Sequence, residues 1–128
     1  MNTSIHLLPE SDIEYLNLKE FKCELRVHGS DIHLIIDEFE LPAAYTPRNC
    51  RLLLKLPAGY PNTNPDMFWT RPDIRLTSGE FPVAANVQET FVDGNWQRWS
   101  RHTNTWRSGV DNIQSKLRAV RTELDKGR

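Results

Sequence analysis

Cysteine is scarce: Cys23 and Cys50 are the only two, widely separated and without a close-spaced partner. That spacing argues against a disulfide framework or a zinc site, and the pair reads as two reduced, buried thiols. Long apolar runs are missing as well. The longest, Leu52 to Leu54 and Ile32 to Ile36 with its neighbours, fall far short of the roughly 20 residues a bilayer-spanning helix needs. Met1 to Glu10 lacks a basic start followed by an apolar stretch, so no secretory signal is read and a cytoplasmic location is expected. The histidines are few and scattered; His6, His28 and His33 form no i, i+4 pair and have no carboxylate or cysteine at ligand spacing, so neither a metal site nor a cofactor is expected. There is no internal repeat and no low-complexity segment.

What is present is ordinary globular composition, 38% apolar and 26% charged, in a length that suits one domain spanning residues 1–128. The net charge of −1 hides a gradient: residues 98–128 carry 8 basic and 3 acidic side chains, whereas residues 1–48 carry 4 and 9. A basic tail of this kind fits a nucleic-acid or acidic-partner surface, or simply the solvated face of an amphipathic helix.

Strands come first and the main helix last. Pro9 to Leu18 reads as a short leading helix, with Ile13 and Leu16 at helical spacing. Phe21, Cys23, Leu25 and Val27 alternate with Lys22, Glu24, Arg26 and His28, the period of a strand with one wet face. Gly29-Ser30 turns the chain into a second strand, Asp31 to Phe39, with Ile32, Leu34 and Ile36 inward and His33 and Asp37 outward. Cys50 to Leu56 makes a third and Asp66 to Thr70 a short fourth. Arg71 to Thr105 then has no strong period except a small hairpin signalled by Asp93-Gly94 within Thr90 to Trp96, and it reads as a long Trp-rich loop. Val110, Ile113, Leu117, Val120 and Leu124 share one helical stripe. Ser108 and Asp111 resemble a capping box for that helix, and Lys116, Arg118 and Arg121 are expected to face away from the core. A coiled-coil seam is the other use of such a stripe. The fold class is therefore α+β: a four-stranded antiparallel meander, a short N-terminal helix, the loop, and a C-terminal amphipathic helix packed on the sheet.

The run Leu54-Lys55-Leu56-Pro57-Ala58-Gly59-Tyr60-Pro61 through Pro65-Asp66-Met67-Phe68-Trp69 resembles the Tyr-Pro and following Pro signature of ubiquitin-conjugating enzymes. Trp96-Gln97-Arg98-Trp99-Ser100-Arg101-His102 and Trp106-Arg107-Ser108-Gly109-Val110-Asp111 are similar to the bacterial branch called prokaryotic family E of that superfamily. The resemblance covers most of the chain. It implies a UBC-like fold and a place in a bacterial ubiquitin-like modifier pathway, beside an adenylating activating enzyme, a ubiquitin-like modifier and a JAB-type metalloprotease. A conjugating enzyme carries its modifier as a thioester on a partly exposed, electropositive cysteine. The loop after Trp69 holds no cysteine, and Arg71-Pro72-Asp73 occupies the place of the family's His-Pro-Asn.

Three uses of the remaining residues follow. The chain binds the modifier or the activating enzyme without carrying the thioester; or a serine accepts the modifier as an oxyester, Ser100 or Ser78, with His102 removing the proton. His102 alternatively recognises a modifier tail or is held by the loop backbone. Trp96, Trp99 and Trp106 interleave with Arg98, Arg101 and Arg107, the most unusual constellation in the chain. Guanidinium and aromatic groups in that arrangement stack bases, recognise a protein partner, or anchor the loop; Trp96, Arg98, Trp99, Arg101 and Trp106 are the candidate partner-binding residues.

Overall fold

The computed structural model describes residues 8–91, 94–102 and 105–128. In chain order its elements are α1 (Glu10–Leu18), β1 (Cys23–His28), β2 (Asp31–Glu40), β3 (Tyr45–Thr46), β4 (Asn49–Leu56), β5 (Phe68–Arg71), β6 (Arg75–Leu76), β7 (Val87–Phe91), β8 (Gly94–Trp99) and α2 (Ile113–Asp125). The α+β class holds. The sheet is larger than four strands: it has six, in the order β1-β2-β4-β5-β8-β7, with every neighbouring pair antiparallel, and β3 pairs separately with β6. The expected meander forms its first four strands. Gly29, at φ +63, allows the tight β1–β2 turn that a side chain would strain.

The stretch from Arg71 to Thr105 is thus not a loop in the main. It contributes β6, and its β7–β8 hairpin extends the sheet by pairing β8 onto β5, Phe68 opposite Trp99 and Thr70 opposite Gln97. The hairpin is longer than the Thr90 to Trp96 segment the turn signal suggests; Asp93 of that signal lies outside the described residues. Strand β8 has no clean two-residue period because both of its faces are covered. Trp99 and Gln97 point to the helical side, Trp96 to the other, and all three are fully buried.

One face of the sheet carries the main core. Leu34, Ile36, Leu52, Leu54, Leu56, Phe68 and Trp99 pack there with Leu16 of α1 and Ile113, Leu117, Val120 and Leu124 of α2. Burying such side chains stabilises by about 1.5–3 kcal/mol each, which makes this layer the principal source of stability. On the opposite face Ile35, Leu53, Trp69 and Trp96 form a second buried cluster. Arg51 lies 5.6 Å and Arg71 6.0 Å from the Trp96 ring, and Lys55 5.3 Å from that of Trp69, so cationic side chains roof this apolar strip without a third layer. Phe91, beside the hairpin tip, reaches across it to Trp69 and to the stacked pair His28 and His33. That explains why His33 is buried, against the expectation that it faces solvent, and why Ile35 and Leu53 are apolar at outward positions. Val27, expected inward, is exposed at the end of edge strand β1.

The closing helix begins later than the stripe suggests. Val110 is 60% exposed and precedes the helix; Asn112 is the cap, its side chain accepting from the Ser115 N–H at 3.0 Å while Ser115 Oγ accepts from the Asn112 N–H at 2.8 Å. Ser108 does not cap. Its hydroxyl donates to Asn62 Oδ1 at 2.6 Å, and Asp111 instead accepts from the Arg107 N–H at 2.6 Å. Lys116, expected to face away, is 3% exposed. Among the described residues no helix is long and apolar enough to cross a membrane.

Candidate functional site at the start of the closing helix

Four segments converge at the start of α2. The Tyr60-Pro61 turn lies over the helix start: Tyr60 donates its hydroxyl proton to Asp12 Oδ2 at 2.5 Å, and the other oxygen of Asp12 accepts from the Ile113 N–H at 3.2 Å. Asp12 is buried, so α1 supplies the anion that satisfies one of the otherwise orphaned donors at the start of α2. Burial together with the Asp12 carboxylate pushes the Tyr60 phenol far above its ordinary range. Pro61 accepts from the Trp106 indole N–H at 2.8 Å, which fixes that ring beside Tyr60. The Tyr-Pro signature is therefore a clamp between α1, the β4–β5 connection and the entry to α2.

Beside the clamp, His102 and Asp66 meet: His102 Nδ1 is 2.6 Å from Asp66 Oδ2. A carboxylate on Nδ1 selects the tautomer with its proton there and leaves Nε2 as the basic nitrogen. His102 is more than half exposed, so Nε2 can meet a partner group from solvent. Among the described residues the other Asp66 oxygen is buried without a hydrogen-bond partner, and the field of Asp66 also reaches the Lys116 ammonium. Lys116 is desolvated, and burial pulls its amine down from the ordinary 10.5 to about 8, against the opposing pull of Asp66. It lines a cavity of about 500 Å³ with Thr105, Trp106, Arg107, Asp111, Ser115 and Ala119.

Asp66 and Lys116 were not singled out by sequence. Lys116 did carry a signal, since it falls three residues after Ile113 and four before Val120, inside the apolar stripe. Nothing in the spacing joins Asp66 to His102, 36 residues away.

The other candidate residues are dispersed. Ser100 Oγ accepts from Arg98 Nε at 2.9 Å, and Ser78 lies on an exposed turn, its Oγ 3.5 Å from the Glu80 N–H. Among the described residues neither serine is hydrogen-bonded to His102. Trp96 and Trp99 are fully buried on opposite faces of the sheet, which removes them from any binding surface. Arg101 is also buried, its guanidinium donating to the backbone carbonyls of Val83, Glu123 and Arg128. These three residues build the fold. Arg98, paired with Glu89 at 3.2 Å, and Trp106 keep part of their surface. A base-stacking platform made of alternating Trp and Arg is consequently not formed.

Both cysteines are free and belong to the sheet. Burial, and secondarily Asp37, raises the Cys23 thiol to about 11; burial raises Cys50 to about 12 despite Arg121 nearby. In Arg71-Pro72-Asp73, Arg71 lies over Trp96, and Asp73 Oδ1 accepts from Gln88 Nε2 at 2.6 Å. Among the described residues no group of His, Cys, Asp and Glu is placed to hold a metal ion.

A family model described as prokaryotic E2 family E matches residues 8–127, nearly the whole chain. No curated protein and no solved structure matches it.

Proposed function

The chain belongs to prokaryotic E2 family E, and from that premise we propose that it serves a ubiquitin-like conjugation pathway in the cytoplasm as a subunit that binds the modifier or the activating enzyme and carries no thioester on its own sulfur. The observation that carries this reading is the position of the sulfur. The chain has two cysteines, both in strands, and both thiols are held in the protonated form well above pH 8. A thiolate nucleophile needs a partly exposed, electropositive environment; Cys50 is buried, and Cys23, partly exposed against the expectation that both are buried, has the Asp37 carboxylate beside it instead of a cation. The partners in this reading are the modifier, its adenylating enzyme and a JAB-type metalloprotease that would reverse the linkage.

Incubation with the cognate activating enzyme, modifier and ATP tests it. The expected result is stable co-elution with the modifier or the activating enzyme and no thiol-sensitive adduct. A reductant-sensitive adduct that disappears in Cys23→Ser or Cys50→Ser overturns it.

A second reading, transfer through a serine oxyester assisted by His102, is favoured by one observation: Asp66 holds the imidazole with Nε2 free. Its mark would be an adduct that resists thiols and yields to base, lost in Ser100→Ala or Ser78→Ala. His102→Ala should then abolish transfer and leave the melting temperature unchanged.

A further inference from the structure

The sheet ends on an open edge at β1. Among the described residues this strand, Cys23–His28, has a neighbour on one side only, β2. The Asp37 N–H donates to the Lys22 carbonyl at 2.8 Å, and the register runs on from Cys23 opposite Ile36 to His28 opposite Asp31. Along an antiparallel strand the main-chain groups point alternately toward the partner and away from it. Glu24, Arg26 and His28 therefore direct theirs at β2, and Cys23, Leu25 and Val27 turn theirs outward. A row of unpaired N–H and C=O groups of this kind is a template for a further strand. Proline and bulges commonly block such an edge, but β1 contains no proline and its register with β2 is unbroken. Val27, an apolar side chain on that edge, is 65% exposed.

We propose that β1 pairs antiparallel with β1 of a second copy of this chain, Leu25 opposite Leu25, so that two sheets join into one across a two-fold axis. Only registers that set outward-turned residues opposite one another can bond, so the choices step by two residues. With Leu25 at the centre, about six main-chain bonds form. Glu24 of each copy then faces Arg26 of the other on the outer face of the sheet, and Cys23 faces Val27 on the core face. One step in one direction sets Glu24 against Glu24 and Lys22 against Arg26; one step in the other sets Arg26 against Arg26. Opposite charges across a strand pair stabilise it and like charges oppose it, which selects the central register. Within one copy Arg26 already donates to Glu24 at 2.9 Å, and Arg51 lies 3.5 Å from the same carboxylate. The charges are thus held at the edge on one face, and the two-fold axis brings a second pair of opposite order beside the first. The inference goes beyond the conjugation reading and is tested without an activating enzyme or modifier.

The test is sedimentation equilibrium of the full chain over a range of about 1 to 500 μM, since a single strand pair makes a small interface of the weak class. The mean mass should rise with concentration from 14.9 kDa toward twice that value. Val27→Pro removes an outward N–H and no bond to β2, so it should stay at 14.9 kDa throughout with an unchanged circular dichroism spectrum. Glu24→Arg alone and Arg26→Glu alone should each weaken association at least tenfold. Their equimolar mixture should recover it, because every 24–26 contact between the two variants is again a pair of opposite charges. Added salt should weaken the parent dimer.

A parent that remains monomeric over the whole range overturns the pairing, and so does a dimer that Val27→Pro leaves intact. A mixture no tighter than the single variants overturns the register, and species larger than two copies overturn the two-fold closure. The mixing experiment reads the contact even if Val27→Pro fails to fold.

Discussion

Replacing Lys116 by Met should stabilise the protein, and the gain should shrink as pH rises. In the folded state burial lowers the amine to about 8, against 10.5 when unfolded. Between those values the unfolded chain binds more protons, so this group makes stability increase with pH. Below pH 8 both states are largely protonated and the folded state bears the full penalty. The 2.5-unit difference converts to about 3 kcal/mol at pH 7, and about 2 kcal/mol remains at pH 9. Met fills nearly the same volume without a charge, so the variant should exceed the parent by up to about 3 kcal/mol at pH 7. Loss of the ammonium near the unpartnered Asp66 oxygen reduces the gain. The assay is urea unfolding of both proteins at pH 7, 8 and 9. The gap in midpoints should close by roughly 0.5 M across that range, for a typical slope of about 2 kcal/mol per M. Using the gap removes the thiols, whose raised values act oppositely: their contribution is present below the unfolded thiol value of 9.0 and is lost as pH climbs toward 11 to 12, alike in both proteins. A gap that stays constant or widens with pH would refute the claim that the Lys116 amine is desolvated.

Gln97 accepts from Thr70 Oγ1 and the Ile74 N–H and donates to the carbonyls of Ile74 and Ala85, so Gln97→Leu strands three backbone groups and should cost about 3 kcal/mol, read by thermal melting. Asp12→Ala unties both Tyr60 and the first turn of α2 and should cost about 2 kcal/mol, whereas Tyr60→Phe, which leaves the Ile113 bond intact, should cost about 1 kcal/mol in the same melts. Disulfide-exchange labelling at pH 8 should find Cys23 roughly a hundredfold and Cys50 roughly a thousandfold slower than free cysteine, with full reactivity in urea. Nitrogen NMR of labelled histidine should show the His102 proton on Nδ1 and a bare Nε2, and Asp66→Asn should mix the tautomers.

The first four sheet strands were legible because alternation reports a strand whose neighbours are consecutive. Cys50, Leu52, Leu54 and Leu56 lie on the core face as their spacing requires. Even so, Ile35 and Leu53 showed that an outer face can be apolar when Arg and Lys stems roof it, and His33 that a polar residue there can be buried. The β7–β8 hairpin was not legible for the same reason in stronger form. Trp96 and Trp99 belong to different cores, so their strand presents large aromatics on both sides and loses its period. Read as a sequence, that pattern looks like a surface rich in Trp and Arg; in the fold, the rings are interior and Arg101 holds chain ends and turns together.

The site itself resisted reading because its chemistry arises from segments distant in sequence. Asp66 precedes β5, His102 follows β8, and Lys116 lies in the second turn of α2, and the antiparallel pairing of β5 with β8 is what brings the first two together. Position within the helix decided the third. Starting α2 at Ile113 rather than Ser108 leaves Val110 outside, and the apolar face then runs through 113, 116, 117, 120 and 124, which makes Lys116 one of its members. A charged residue at such a position is stable only with a compensating group or a use, since core packing alone would favour Leu or Met there. The structure supplies that compensation in the field of Asp66, whose second oxygen has no hydrogen-bond partner among the described residues.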